Sequence, residues 1–251
     1  MFPVRDDNPH FLTPWVTWSI IAANALAWAF WQGLGSEAGL AHSLCDYGLI
    51  PGELFGRAEP GTAVPLSPNY TCVVDPSGDW RTVITHMFLH GGWFHLIGNM
   101  WFLWIFGNNV EDSMGHARFV AFYLLCGLAA AALQALASPA SPIPMVGASG
   151  AIGGVMGAYV VLYPRVRVHL LLWLGFYVTT VAVPAAFMLL YWLVVQLVGG
   201  ATSIGKEGGG VAFWAHVGGF VAGMALVLVF RDPRLVARHP YHGWSAPRRP
   251  V

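Results

Sequence analysis

The sequence predicts an all-α integral membrane protein with six transmembrane helices and a long first loop that associates with the membrane. Of its 251 residues, 56% are hydrophobic and only 10% are charged, and the mean hydropathy is +0.58. Soluble domains are about one quarter charged. Apolar segments close to the roughly 20 residues that a helix needs to cross a bilayer recur along the chain. Because the formal net charge is zero, nothing favours a nucleic-acid partner.

The first apolar segment follows a short polar tail, residues 1–13, which we expect in the cytoplasm. We interpret this segment, residues 14–31, as a retained transmembrane helix and not as a cleaved signal peptide. It is long for the apolar region of a signal peptide, and no small-residue cleavage site follows closely. The next stretch, residues 33–81, is rich in Pro and Gly. It is too long for a bare turn, and we expect it to pack on the membrane surface.

Five further spans are predicted after this loop. Residues 107–116 form a turn between the second and third spans. Pro184 divides the long apolar stretch after the fourth span, so that its first part is interfacial or re-entrant. Residues 231–251 form a basic tail, and the preceding domain covers residues 14–230. The six spans are expected over residues 14–31, 82–106, 117–137, 148–163, 184–198 and 211–230.

The basic residues predict how the chain is oriented, because cytoplasmic loops carry an excess of Lys and Arg. Only Arg57, Arg81 and Lys206 lie in the two long loops on one side of the predicted topology. We therefore expect both termini in the cytoplasm and the loops 33–81 and 199–210 outside. The residues on the cytoplasmic side are Arg5, Arg118, Arg165, Arg167, Arg231, Arg234, Arg238, Arg248 and Arg249.

A candidate nucleophile lies at the outward start of the fourth span. Ser149 stands between Gly147-Ala148 and Gly150, where the free N–H groups and positive end of a helix favour a developing oxyanion. His216 lies at comparable depth, near the outward end of the sixth span. Either residue alone is more often a helix cap or a satisfied polar side chain. Their common depth predicts a nucleophile and its general base.

Glycines accompany both residues at helical spacing. Gly153 and Gly157 follow Ser149, and Gly219 and Gly223 follow His216. Taken singly, such glycines indicate helix packing alone. Close packing is also what would bring His216 within reach of the Ser149 hydroxyl, so the two interpretations do not compete.

His95 and Asn99 are four residues apart and share a face of the second span near its outer end. An Asn amide and a neutral imidazole N–H can both donate hydrogen bonds to an oxyanion. Glu111, in the predicted cytoplasmic turn, lies too far from Ser149 to complete a triad. We therefore expect a Ser–His dyad with an oxyanion hole.

His86 and His90 have a spacing that can also bind a metal. No HExxH motif is present and no carboxylate accompanies them in the span, so hydrogen bonding within the first loop is the favoured interpretation. We expect no metal and no cofactor. A metal or haem protein that uses His86, His90 and His95 is the alternative, and it would show metal stoichiometry or a haem absorption band.

Together these motifs resemble those of the rhomboid intramembrane serine proteases, over the second to sixth spans. The resemblance implies Ser149 as nucleophile and His216 as base. It also implies an oxyanion hole made by His95, Asn99 and the Ser149 backbone N–H. It rests on Trp80-Arg81, His86, His90, His95, Asn99, Glu111, Gly147-Ala148-Ser149-Gly150, and Ala215-His216 with Gly219 and Gly223.

The resemblance further implies a simple six-span bacterial enzyme of the inner (plasma) membrane. Its substrates would be transmembrane proteins with small or helix-breaking residues near an outward cleavage site. Trp80-Arg81 would lie in a first loop embedded in the outer leaflet, as an interfacial anchor or a functional contact. Gly153 departs from the pattern of some rhomboids, which have an aromatic residue at this position, packed under the catalytic histidine. An inactive rhomboid-like protein that binds membrane helices is the alternative function.

Cys45 and Cys72 share the first loop, and Cys126 lies in an apolar run. A bridge between the first two would close a ring of nearly thirty residues and order the loop. Two free thiols are the alternative.

Overall fold

The computed structural model describes residues 2–75, 78–203 and 210–243. Residues 204–209 of the predicted outward loop and 244–251 of the predicted tail lie outside the described residues, together with Lys206, Arg248 and Arg249. The described elements, in chain order, are β1 (Phe2–Asp6), α1 (Trp15–Phe30), α2 (Glu37–Tyr47), α3 (Pro51–Leu54), β2 (Ala63–Ser67), β3 (Tyr70–Val73), α4 (Thr82–Thr85), α5 (Trp93–Met114), α6 (His116–Ala137), α7 (Ser149–Leu162), β4 (Arg167–Leu174), β5 (Tyr177–Pro184), α8 (Ala185–Ser203), α9 (Phe213–Phe230) and α10 (Pro233–Val236).

The chain is mostly helical, and its long helices are apolar. By length and composition, α6, α8 and α9 are each sufficient to cross a membrane. The apolar helices α1 and α7 are shorter, with 16 and 14 residues. The 22 residues of α5 include a polar end from Asn108 to Ser113.

The predicted second span is wrong at both of its ends. The chain is interrupted at Gly91 and Gly92, so the helix begins only at Trp93, and His86 lies in a separate 3₁₀ turn, His86–Phe88. At the other end, α5 continues to Met114 through the predicted turn 107–116. Polar residues indicated a turn there, but they are buried and bonded to other parts of the chain, so the helix need not end.

Helix α7 lies at the centre of the bundle, with nearly every residue buried. Its glycines bring its backbone against that of α9. A Cβ on Gly219 would lie 1.8 Å from the Gly150 carbonyl oxygen, and one on Gly223 would lie 2.0 Å from that of Gly154. Glycine is therefore required along this contact, because any side chain would push the two helices apart.

The expectation of an all-α chain holds only for the bundle, because the described residues also form two small antiparallel sheets. One has the strand order β1-β4-β5 and the other pairs β2 with β3. The predicted interfacial or re-entrant stretch is the hairpin β4–β5, with Arg167 opposite Pro184 and Leu174 opposite Tyr177. Its β-branched and aromatic residues favour strands, and Gly175 supplies a positive φ of 65° at the turn.

The first loop is a folded unit. Cys45, in α2, and Cys72, in β3, form a disulfide with a Cα–Cα distance of 5.4 Å. Leu49 pairs with Met145 through two backbone hydrogen bonds of 2.9 and 2.8 Å. The loop is thereby attached to the segment that leads into α7.

The polar end of α5 holds both ends of the chain. Buried Glu111 accepts hydrogen bonds from the Thr17 backbone N–H and hydroxyl at 2.8 and 2.7 Å, at the start of α1. Asp112 accepts hydrogen bonds from the Phe11 and Leu12 N–H groups at 2.6 and 3.0 Å, and its Oδ2 lies 3.1 Å from His239 Nε2. Parts of both predicted tails are consequently folded, as β1 and α10.

Candidate active site

Ser149 and His216 meet where α7 and α9 begin. His216 Nε2 lies 2.8 Å from Ser149 Oγ, which is hydrogen-bonding distance for a general base and a hydroxyl nucleophile. The α7–α9 packing produces this contact. A Cβ at Gly153 would lie 3.0 Å from the His216 carbonyl oxygen, and one at Gly157 would lie 2.1 Å from that of Phe220.

Gly147 makes room for the side chains of His95 and Ser149 before α7. Its φ is +129°, and a Cβ there would lie 2.8 Å from the His95 ring and 3.4 Å from Ser149 Oγ. Its N–H donates to the His86 carbonyl oxygen at 2.9 Å. Because Ser149 is the first residue of α7, its N–H has no acceptor within the helix. That N–H is therefore free to donate to a bound carbonyl oxygen.

His95 and Asn99 supply two further hydrogen-bond donors from α5. The Gly91 N–H donates to His95 Nδ1 at 3.2 Å, so in the neutral imidazole Nε2 carries the hydrogen. Asn99 is buried, and its Nδ2 has no hydrogen-bond partner within the described ranges. Both side chains line the same cavity as Ser149 and His216. The arrangement can accommodate an oxyanion.

His86 and His90 take part in the packing of the first loop. His86 Nδ1 lies 2.9 Å from the Thr82 carbonyl oxygen. The backbone N–H and carbonyl of His90 both bond to the Gln32 side chain at 2.8 Å. In the part of the chain that the structure describes, no cluster of three or more His, Cys, Asp or Glu side chains could hold a metal ion.

A cavity of about 920 Å³ opens at this site. The segment before α7 forms one wall and α5 another, while α8 contributes Trp192 and the β2–β3 hairpin contributes Val64 and Leu66. The cavity is large enough for several residues of an extended peptide, and its lining is mainly apolar. Its lining residues are Leu44, Val64, Pro65, Leu66, Gly91, Phe94, His95, Gly98, Asn99, Phe102, Ile143, Pro144, Met145, Val146, Ser149, Ile152, Met156, Trp192, Gly210, Val211, Ala212 and His216.

The comparison with known families agrees with this geometry. A family model described as the Rhomboid domain matches residues 77–233, more than half of the chain. The chain belongs to the rhomboid family. The matched range contains Ser149, His216, His95 and Asn99.

A curated relative of this rhomboid is "Rhomboid-like protein 11, chloroplastic" from Arabidopsis thaliana. The two are 39% identical over 51 residues. That match covers 20% of this chain and 18% of the relative, so the chain matches less than a fifth of the relative's length.

Trp80 and Arg81 do not line the cavity of this rhomboid. Trp80 is 68% exposed, and Arg81 Nη2 lies 2.7 Å from Asp79 Oδ2. The hydrogen bonds and charge of the guanidinium hold the pKa of the Asp79 carboxyl below its usual range. Glu111 also lies away from the site, at the opposite end of α5 from His95.

The sequence analysis missed three contributors to the site. Gln196 and Trp192 on α8 both contact His216, and the β2 strand reaches the cavity. Gln196 could have been identified, because an amide within an apolar membrane helix is costly unless it has a function. The contribution of strand β2 to the cavity lining could not have been identified, since it depends on how the first loop folds onto the bundle.

Proposed function

We propose that this rhomboid is an intramembrane serine endopeptidase that cleaves transmembrane segments of other proteins near their outward ends. The observation that carries this proposal is the 2.8 Å contact between His216 Nε2 and Ser149 Oγ. Three donors beside the same cavity support it, namely His95 Nε2, Asn99 Nδ2 and the Ser149 N–H. A helix cap or a packing histidine would require neither the contact nor the donors.

The chemistry follows from the positions of these groups. Ser149 Oγ attacks the peptide carbonyl while His216 Nε2 takes the hydroxyl proton, and the carbonyl oxygen becomes an oxyanion held by the three donors. His216 then gives its proton to the leaving amine. Water, deprotonated by His216, releases the acyl group and restores Ser149.

The proposed orientation places this chemistry on the outward side of the membrane. Six helices, α1 and α5 to α9, would span it, with both termini in the cytoplasm as the arginine distribution indicates. The membrane would be the inner (plasma) membrane of a bacterium, as the similarity to six-span bacterial rhomboids implies. Water would reach Ser149 from outside, because its cavity opens beside the polar first loop.

Substrates must present an extended backbone to Ser149. A transmembrane helix satisfies its own backbone groups, so it must unwind before its carbonyl can be attacked. Small or helix-breaking residues near the outward end of the substrate lower the cost of this unwinding. The mainly apolar lining of the cavity suits such a segment and not a charged soluble peptide.

The second candidate is a binding protein of rhomboid fold that recognises membrane helices without cutting them. The large apolar cavity is compatible with binding alone. The bonded Ser149–His216 pair favours the protease, because binding would not require a nucleophile aligned with a base.

The test is cleavage of a model transmembrane substrate by purified protein in liposomes. We expect specific cleavage by the wild type, none by Ser149→Ala, and unchanged cleavage by Ser19→Ala, whose exposed hydroxyl donates to the Trp15 carbonyl oxygen within α1. A chelator should have no effect. Cleavage by Ser149→Ala, or activity lost to the chelator, would contradict the proposal, and binding without cleavage by the wild type would favour the second candidate.

A further inference from the structure

A buried amide on α8 contacts the proposed general base. Gln196 is 6% exposed, and its Oε1 lies 2.7 Å from His216 Nδ1. The chemistry proposed above assigns no role to this side chain. An amide buried in an apolar helix loses its hydration and is retained at low cost only when it is bonded. Here its carbonyl oxygen is bonded to the imidazole.

This hydrogen bond determines which nitrogen of His216 carries the proton. An amide oxygen can only accept, so Nδ1 must be the donor, and in the neutral ring Nε2 then has the free lone pair. Nε2 is the atom 2.8 Å from Ser149 Oγ. After Nε2 takes the serine proton, Nδ1 still donates to the same oxygen. The bond therefore suits both protonation states of the catalytic cycle.

The same helix also supports one face of the imidazole. The Trp192 and His216 ring centroids are 5.5 Å apart, at an interplanar angle of 39°. Gly153 leaves space on this side, since a Cβ there would lie 3.7 Å from Trp192 Cη2. The indole thus supplies, from α8, an aromatic contact that α7 lacks at Gly153.

We infer that Gln196 is a positioning residue that orients His216 toward Ser149, giving a Ser149–His216–Gln196 arrangement. This inference rests on the proposed protease activity. Gln196 lies on α8, a helix that exposes several large apolar side chains, including those of Phe187, Tyr191 and Val194. The alignment of the base therefore depends on how α8 is seated against α9.

The test compares kcat and KM of purified variants on one transmembrane substrate in liposomes. Gln196→Met keeps the length of the side chain but offers no oxygen to Nδ1, whereas Gln196→Glu keeps an acceptor. Gln196→Leu, which also lacks an acceptor but has another shape, is measured in parallel. Leu189→Ala is the matched control, because Leu189 is a fully buried α8 residue that does not line the cavity. Thermal unfolding of each variant reports its stability.

We expect Gln196→Met and Gln196→Leu to lower kcat by about 10- to 100-fold with KM within about twofold, since orientation of the base acts on the chemical step. Gln196→Glu should recover most of kcat, and Leu189→Ala should lower the unfolding midpoint with kcat nearly unchanged. A wild-type kcat in both Gln196→Met and Gln196→Leu would overturn the positioning role. So would a loss of kcat in Gln196→Glu as large as in those two variants. Absence of turnover in the wild type would instead contradict the proposed function, and the positioning role with it.

Discussion

At the scale of single residues, the site depends on side chains that have one free atom after their structural bonds are made. His95 uses Nδ1 to accept from the Gly91 N–H and keeps Nε2 for a ligand. His216 uses Nδ1 toward Gln196 and Nε2 toward Ser149. His86, in contrast, uses Nδ1 toward the Thr82 carbonyl oxygen, and the buried His90 ring packs against the ring of His95. Bonding partners and position at the cavity, and not residue type, distinguish the two histidines of the proposed site from His86 and His90.

The three kinds of site residue should differ in how much activity they control. Ser149→Ala and His216→Ala remove the nucleophile and the base, so both should fall to background cleavage. Asn99→Ala should lose about 10²-fold or less, because losing one oxyanion donor costs at most about 10²–10³ in rate and two others share the load here. Cleavage rates of equally folded variants measure this order. Asn99→Ala as inactive as Ser149→Ala would contradict it.

At the scale of elements, the contact between α7 and α9 sets the distance between Ser149 Oγ and His216 Nε2. Gly150 and Gly154 on α7 lie against Gly219 and Gly223 on α9, with backbone meeting backbone. Ser149 and His216 lie beside this contact, one residue and three residues from its first pair. A small separation of the two helices would therefore break the 2.8 Å hydrogen bond.

Gly219→Ala should separate the two helices. The added Cβ would lie 1.8 Å from the Gly150 carbonyl oxygen, and overpacking of this kind costs about 1–3 kcal/mol of stability or more. We expect a lower unfolding midpoint together with a loss of cleavage. Gly92→Ala is the control, since nothing lies within 4 Å of its Cβ position. Wild-type stability and cleavage in Gly219→Ala would show that the close contact does not position the site.

Much of the bundle and the site could be predicted from the sequence, because apolar length and glycine spacing are local signals. The helices α6 and α9 begin and end within two residues of the predicted spans. The ends of α5 could not be predicted from the sequence. Gly91-Gly92 interrupts an apolar run at one end, and at the other the polar residues after Gly107 are hydrogen-bonded to distant backbone groups. The β4–β5 hairpin was missed because its largely apolar strands show no sustained alternation of apolar and polar residues. Gln196 could have been singled out as an amide in an apolar helix, but its partner His216, 20 residues away, could not be predicted from that signal.

At the scale of the whole molecule, the N-terminal strand is joined to the bundle at the end of α7 opposite Ser149. β1 pairs with β4, and the Asp6 carboxylate accepts a hydrogen bond from the Tyr159 hydroxyl of α7. Asp7 directly follows this strand, and its Oδ1 lies 2.9 Å from His169 Nε2. The N-terminal strand therefore links α7 to the β4–β5 hairpin.

Docking of this strand should depend on pH through Asp6. Burial raises the pKa of Asp6 to about 6, against the effect of the Tyr159 hydrogen bond. Because the folded-state pKa is above the unfolded value of about 3.9, the contribution to stability is full below pH 4 and is lost as pH rises through 6. Asp6→Asn should therefore be more stable than wild type at pH 8, by about 3 kcal/mol at most, and should unfold at a higher temperature there. At pH 4 the two proteins should be equally stable. A difference that is larger at pH 4 would contradict this assignment.

The orientation of the molecule is tested by labelling of single cysteines. Pro68→Cys lies in the exposed turn between β2 and β3, and Ala237→Cys follows α10 at an exposed position. Because we expect both termini in the cytoplasm, an impermeant maleimide should label the first variant in intact cells, and the second only after permeabilisation. Labelling of Ala237→Cys in intact cells would reverse the topology and place Ser149 on the cytoplasmic side.

The central claim is that Ser149 is a nucleophile activated by His216, and covalent labelling tests it most directly. Purified protein is treated with a mechanism-based serine-hydrolase probe, and the modified peptide is identified by mass spectrometry. The account predicts one adduct on Ser149 in the wild type, none in Ser149→Ala, and little in His216→Ala. No adduct on Ser149 in folded wild-type protein, or equal labelling in His216→Ala, would contradict it.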